Sequence, residues 1–280
     1  MAAHIGAVQN SRLKTMVVPR EHGAWGMMLV PLVTGAVVAL RAGVNPGPLA
    51  LFIVSAMSLF WLRTPVESWL GTSAIKAHTG VERGLVLRMI LGIGSLAALC
   101  ISGLLWNGHN RGLLVIGAVA AVAFTAQAAA KRLGRRGRMP AQMIGAMGLT
   151  STAAGAYYVA TGRLDRTAIA LWLANWLFAG DQIHFVQLRI RCSRAGTFDE
   201  KLRQGLPFLF GHIALLGTLL AASCFGFFPV AVPLAFLPVL FRGILWFVRG
   251  HRPLDVHRLG FSELGHAIGF GAVLCAAFLL

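Results

Sequence analysis

Val17-Val18-Pro19-Arg20-Glu21-His22-Gly23-Ala24-Trp25-Gly26-Met27 leads into an apolar run that continues from Trp25 to Leu40. Such a run, helical and headed by polar residues, reads as a span across a bilayer core about 30 Å thick. Pro19 suits the start of that helix, and acidic Glu21 suits its positive N-terminal end. Gly23 and Gly26 leave room for another backbone or a ligand. Arg20, Glu21 and His22 then sit at the mouth of a span, where ionisable groups either anchor the helix at the water line or serve a site. Polar groups elsewhere at the same level decide between the two.

The composition extends this reading to the whole chain. Of 280 residues, 57% are hydrophobic and 12% are charged, with a mean hydropathy of +0.72. A soluble domain carries about 25% charge. Apolar stretches recur to the C-terminus, so the expected class is an all-α integral membrane protein. Residues 1–16 are polar and basic and read as a cytoplasmic tail, with 17–280 as a single polytopic membrane domain. The 25 basic against nine acidic residues would suggest nucleic acid in a soluble chain. Here they read as positive charge held on one membrane face, with membrane lipids and no nucleic acid as partners. Cys100, Cys192, Cys224 and Cys275 are scattered, which suggests neither a disulfide framework nor a zinc site.

The hydropathy pattern predicts about nine transmembrane helices in one bundle, near 24–40, 48–62, 87–105, 112–130, 141–161, 167–187, 206–226, 229–248 and 261–280. With the N-terminus inside, every Lys and Arg except Arg41, Arg111, Arg163 and Arg166 falls on the inner side. An odd number of spans, N-terminus cytoplasmic and C-terminus outside, follows from that bias. The longest links are also inner, and long connections in compact bundles tend to be functional. Arg63-Thr64-Pro65-Val66-Glu67-Ser68-Trp69-Leu70 reads as a short interfacial helix with a basic edge. Lys131-Arg132-Leu133-Gly134-Arg135-Arg136-Gly137-Arg138 is either a topology determinant facing lipid headgroups or an anion-binding rim.

Ionisable residues inside spans are costly and therefore informative. Asp181 and His184 lie near the inner end of the sixth span, and their i,i+3 spacing puts them on one helix face. Glu263 and His266 repeat the spacing at the start of the ninth, and His212 lies near the inner start of the seventh. With Glu21 and His22 they form a predicted polar layer at the inner face. Three uses remain open: inter-helix hydrogen bonding, acid–base or substrate-binding chemistry, and metal ligation by Asp181, His184, Glu263 and His266. The P-loop, dinucleotide and H-E-x-x-H signatures are all absent.

Pro19-Arg20-Glu21-His22-Gly23-Ala24-Trp25, together with Gly155-Ala156-Tyr157-Tyr158, Asn175-Trp176 and Arg258 through His266, resembles the YwiC-like family of bacterial membrane proteins. That resemblance implies a bacterial cell membrane and no established activity. A more distant resemblance is to UbiA-type prenyltransferases, through Lys131-Arg132, Gly145 and Tyr158-Val159-Ala160-Thr161-Gly162. It implies a UbiA-like bundle with a cytoplasm-facing site, and diphosphate held by Mg²⁺ on two aspartate-rich motifs. Those motifs are not present; Asp181 alone could stand for a member of the second.

The function expected from all this is the binding or modification of an amphiphilic, isoprenoid-like small molecule. Arg20, Arg63, Lys131, Arg132 and Arg189 would hold an anionic head. Glu21, His22, Asp181 and His184 would be the catalytic or orienting groups. The alternatives are an ion, proton or metal transporter and a non-enzymatic membrane assembly factor.

Overall fold

The computed structural model describes residues 22–41, 46–71, 76–106, 108, 110–134, 137–193, 195, 197–249 and 254–280. Among the described residues the chain is helical, with α1 His22–Leu40, α2 Pro46–Trp69, α3 Gly80–Trp106, α4 Asn110–Lys131, α5 Arg138–Thr150, α6 Thr152–Thr161, α7 Arg166–Arg191, α8 Phe198–Cys224, α9 Val232–Val248 and α10 Val256–Leu279. Five of these (α2, α3, α4, α8 and α10) are long and apolar enough to cross a membrane, and α1 and α9 contribute shorter apolar helices. Large apolar side chains such as Leu99, Val122, Phe210 and Ile213 point outward, as lipid-facing positions should. The protein is therefore an all-α membrane protein.

The chain divides into two compact units. The first contains α2 and α3, an antiparallel hairpin. Thr79 and Glu82 open α3 with reciprocal bonds: Glu82 Oε2 accepts from His78 N and Thr79 N, and Thr79 Oγ1 accepts from Glu82 N. Small hydroxyls line the buried face of α2, where Ser55 donates to the Phe52 carbonyl at 2.9 Å. The predicted interfacial helix at 63–70 is corrected here. Arg63 to Trp69 form the last turns of α2, because Pro65 gives up a single backbone donor and Arg63 Nε pairs with Glu67 Oε1 at 3.1 Å across one turn.

The second unit comprises α1 from Gly23 onward and α4–α10. Its core is built around Phe178, Phe236 and Phe270. Phe178 stacks on Phe270 at a centroid distance of 3.9 Å, and Phe236 meets both edge-on. Gly35 of α1 lies so close to α6 that a Cβ would come 2.1 Å from the Ala153 carbonyl oxygen. Asn175 of α7 donates to Thr34 of α1 at 3.1 Å and to its own Leu171 carbonyl at 2.8 Å.

Two expected boundaries change in this unit. The predicted fifth span is two helices, α5 and α6, broken at Ser151. Thr150, Ser151 and Thr152 all turn their hydroxyls back onto preceding carbonyls, to Ala146 (2.8 Å), Gly148 (2.7 Å) and Leu149 (2.8 Å). Such back-bonding competes with the helix ladder and bends it. The long link expected between the sixth and seventh spans is mostly helix. The N-cap Asp165 starts α7, which runs on to Arg191. A capping box of Thr197 and Glu200 starts α8 at Phe198.

Candidate functional site

Four helices of the second unit bring one ionisable residue each to a common point. Asp181 comes from α7, His212 from α8, Arg242 from α9 and Glu263 from α10. Arg242 Nη2 donates to Asp181 Oδ2 at 3.2 Å, and Arg242 Nη1 donates to Glu263 Oε2. His212 Nδ1 lies 3.2 Å from Asp181 Oδ1. The Asp181 side chain is 2% exposed, and those of Arg242 and Glu263 are 12% exposed. A carboxylate buried this far needs a charged or donor partner, and Arg242 supplies one to both acids.

The surroundings fix this geometry. The guanidinium carbon of Arg242 sits 4.0 Å from the centroid of the Phe185 ring, a cation–π contact that holds its plane. Gln182 donates to the Glu263 backbone carbonyl at 2.8 Å and ties α7 to α10. Gly243, beside Arg242, leaves space for the His212 ring: a Cβ there would lie 2.3 Å from Nε2.

A cavity of about 560 Å³ opens next to this network, where α7 and α9 end and α8 and α10 begin. Arg189, Lys201, Arg242, Arg249 and Arg258 supply its positive charge, and Asp255 is its single acidic lining residue among the described residues. Phe185, Trp246, Leu254 and Leu259 supply apolar wall. Lys201 is committed to structure. Its Nζ donates to the Arg249 carbonyl at 2.5 Å and lies 5.2 Å from the Trp246 ring centroid, closing the C-terminal end of α9. Arg189, Arg249 and Arg258 form no salt bridge among the described residues. Asp255 caps α10, and the Arg258 backbone N–H holds its carboxyl below the usual carboxylate range. Burial pushes the Cys192 thiol up, so this pocket-lining cysteine is a weak nucleophile at neutral pH.

The sequence-predicted residues divide unevenly. Asp181 and Glu263 enter the network, and Arg189 lines the cavity. His184 does not join Asp181; its ring meets Phe208 edge-on at 5.2 Å. His266 does not join Glu263 but places Nδ1 2.7 Å from the Ser262 carbonyl. Both carboxylates therefore turn to Arg242 on α9 and His184 to Phe208 on α8, while His266 turns back on its own helix. Lys131 and Arg132, at the end of α4, are exposed and do not line the cavity. Arg63 belongs to the first unit, paired with Glu67. Arg20, Glu21 and the side chain of His22 lie outside the described residues.

The alternative metal set does not converge. Among the described residues no three His, Cys, Asp or Glu side chains are grouped to hold an ion. The donors do not fit the Mg²⁺ implied by the UbiA resemblance either, since Asp181 and Glu67 each face a guanidinium where that ion would need an open carboxylate.

Sequence reasoning missed Arg242, which it counted only as an inner-face charge. The signal was available: in Val232-Pro233-Leu234-Ala235-Phe236-Leu237-Pro238-Val239-Leu240-Phe241-Arg242-Gly243-Ile244-Leu245-Trp246-Phe247-Val248 it is the lone charge of an apolar helix. Such a residue calls for a buried partner.

Fold and site together define a polytopic helical membrane protein with a buried ion-pair network beside a basic cavity. The sequence profile of the YwiC-like protein family matches residues 18–158, and the chain belongs to that family. The network and the cavity lie beyond the matched stretch. No curated protein matches the chain.

Proposed function

We propose that this YwiC-like membrane protein binds an anionic amphiphile, its head in the basic cavity of the second unit and its tail toward the bilayer. The observation that carries this reading is the trio Arg189, Arg249 and Arg258, which line the cavity without a salt-bridge partner among the described residues. Guanidinium groups converging on an apolar-walled space suit phosphate or a similar head, through charge-assisted and often bidentate hydrogen bonds. The basic bias of the links supports a bacterial cell membrane orientation with the N-terminus and the cavity on the cytoplasmic side and the C-terminus outside. No reacting group is assigned. Asp181, the acid–base candidate that Arg242 links to the cavity, is engaged by Arg242 and His212.

The test uses purified protein in phosphatidylcholine nanodiscs, titrated with octyl phosphate and with octyltrimethylammonium, with empty nanodiscs subtracted. Saturable binding of the first alone is the expected result. Arg189→Ala and Arg258→Ala should each weaken it about tenfold, the equivalent of about 1.4 kcal/mol. Equal uptake of both amphiphiles, or none of either, overturns the reading.

A further inference from the structure

Arg242 is common to the cavity and to the buried carboxylate network. We propose that an anion entering the cavity is bound together with a proton, and that Glu263 is the group that takes the proton. This rests on the anion-binding reading of the cavity.

The network places two carboxylates around one guanidinium, and the two are not equally supported. Asp181 has a second partner in His212, with Nδ1 3.2 Å from Oδ1. Among the described residues the Glu263 side chain has Arg242 as its single hydrogen-bond partner: Oε2 accepts from Nη1, and Oε1 is buried with no hydrogen-bond partner. Arg242 Nε is likewise buried with no acceptor among the described residues, so the guanidinium has a donor to spare. An anion in the cavity draws on the charge and donors of Arg242 and weakens its hold on both acids. Asp181 keeps His212, whereas Glu263 keeps no hydrogen bond among the described residues, only the more distant charges of Arg189 and His266. A carboxylate left so in a desolvated site is neutralised by protonation. A hydronium ion or buffer acid from the solvent gives up a proton: its bond to that proton breaks, an O–H bond to a Glu263 carboxylate oxygen forms, and water or the conjugate base of the buffer is left.

Among the described residues the other charged or titratable groups of the surrounding helices form no hydrogen bond to the Glu263 carboxylate, and Arg189 and His266 reach it only through space. Arg189 of α7 and Lys201 of α8 line the cavity and face the anion, and Lys201 is bonded to the Arg249 carbonyl. His184 of α7 packs against Phe208, and His266 of α10 bonds the Ser262 carbonyl. The described side chains of α1, from Ala24 to Leu40, include no titratable group.

The experiment is calorimetric titration of octyl sulfate, whose head keeps its charge across the pH range, into wild-type protein in phosphatidylcholine nanodiscs. Buffers of different ionisation heat report the protons exchanged. The expected result is uptake of about one proton per ligand, with affinity falling by up to about tenfold per pH unit on the alkaline side. Glu263→Gln should bind with buffer-independent heat, and Asp181→Asn should retain the uptake. Difference infrared spectra of the wild type give a variant-free readout, because a protonated carboxyl band should appear on binding. Binding without proton exchange overturns the coupling and leaves the anion-binding reading standing. Proton uptake that persists in Glu263→Gln overturns the assignment to Glu263. Absence of binding overturns both.

Discussion

Arg242 on α9 reaches Asp181 on α7 with Nη2 3.2 Å from Oδ2, and the same guanidinium holds Glu263 on α10. One cation thus ties three helices together inside a membrane protein. Buried charges of this kind bind strongly to each other only because the alternative, an unpaired carboxylate in the interior, is so costly. Arg242→Met should therefore destabilise the protein by about 3–5 kcal/mol, since it strands two acids. The combination of Arg242→Met with Asp181→Asn and Glu263→Gln should recover part of that loss. Thermal unfolding in detergent, followed by circular dichroism, distinguishes the two. A triple variant as unstable as the single would mean that the arginine acts through its packing on Phe185 instead.

Gly243 follows Arg242 in sequence and serves the same network from the other side. Its missing Cβ is what admits the His212 ring, at 2.3 Å from the position a Cβ would occupy. Gly243→Ala should cost about 1–3 kcal/mol, the usual range for forcing extra volume into a packed site. The imidazole is the obstacle, so His212→Ala combined with Gly243→Ala should be less destabilised than the two single changes summed. Strict additivity in unfolding measurements would remove His212 from the explanation.

The sequence made the spans legible because a membrane helix must be apolar along its length, which periodicity and charge bias both register. The break at Ser151 was not legible, because Thr150-Ser151-Thr152 is tolerated within a helix and bends it only through three hydroxyls acting in succession. In the site, Asp181 and Glu263 stood out as acids in apolar surroundings. Their i,i+3 spacing to His184 and His266 sets only a shared helix face, whereas a buried acid takes whichever donor the neighbouring helix presents. Here that donor is Arg242. Lys131 and Arg132 look like an anion site in sequence, yet they are exposed at a helix end. Arg249 and Arg258 are drawn to the cavity by the ends of α9 and α10, positions that only the packed helices define.

That contrast yields a comparison of two sets of arginines and lysines. Lys131→Ala combined with Arg132→Ala should leave octyl phosphate binding within about twofold of the wild type. Arg249→Glu combined with Arg258→Glu should lower it by about a hundredfold or more, two charge reversals at about 1.4 kcal/mol or more each. The readout is equilibrium binding in phosphatidylcholine nanodiscs at fixed ionic strength, because exposed charges are screened by salt. A larger loss from the first pair than from the second would move the site to the end of α4.

Cys192 offers a test that needs no substitution. It lines the cavity, and burial raises its thiol above the ordinary range. The thiolate is the reactive form, so alkylation of Cys192 should be slow at neutral pH and should quicken as pH rises through and beyond the usual thiol range. Octyl phosphate in the cavity should slow it further, by covering the sulfur and by placing negative charge beside the thiolate that must form. Peptide-resolved mass spectrometry after timed exposure to iodoacetamide measures both effects, with exposed Cys224 as the internal reference. Protection of Cys192 with no change at Cys224 is the expected pattern. Equal slowing at both would point to a general effect of the amphiphile on the protein, and no slowing at Cys192 would place the ligand away from the α7 end of the cavity.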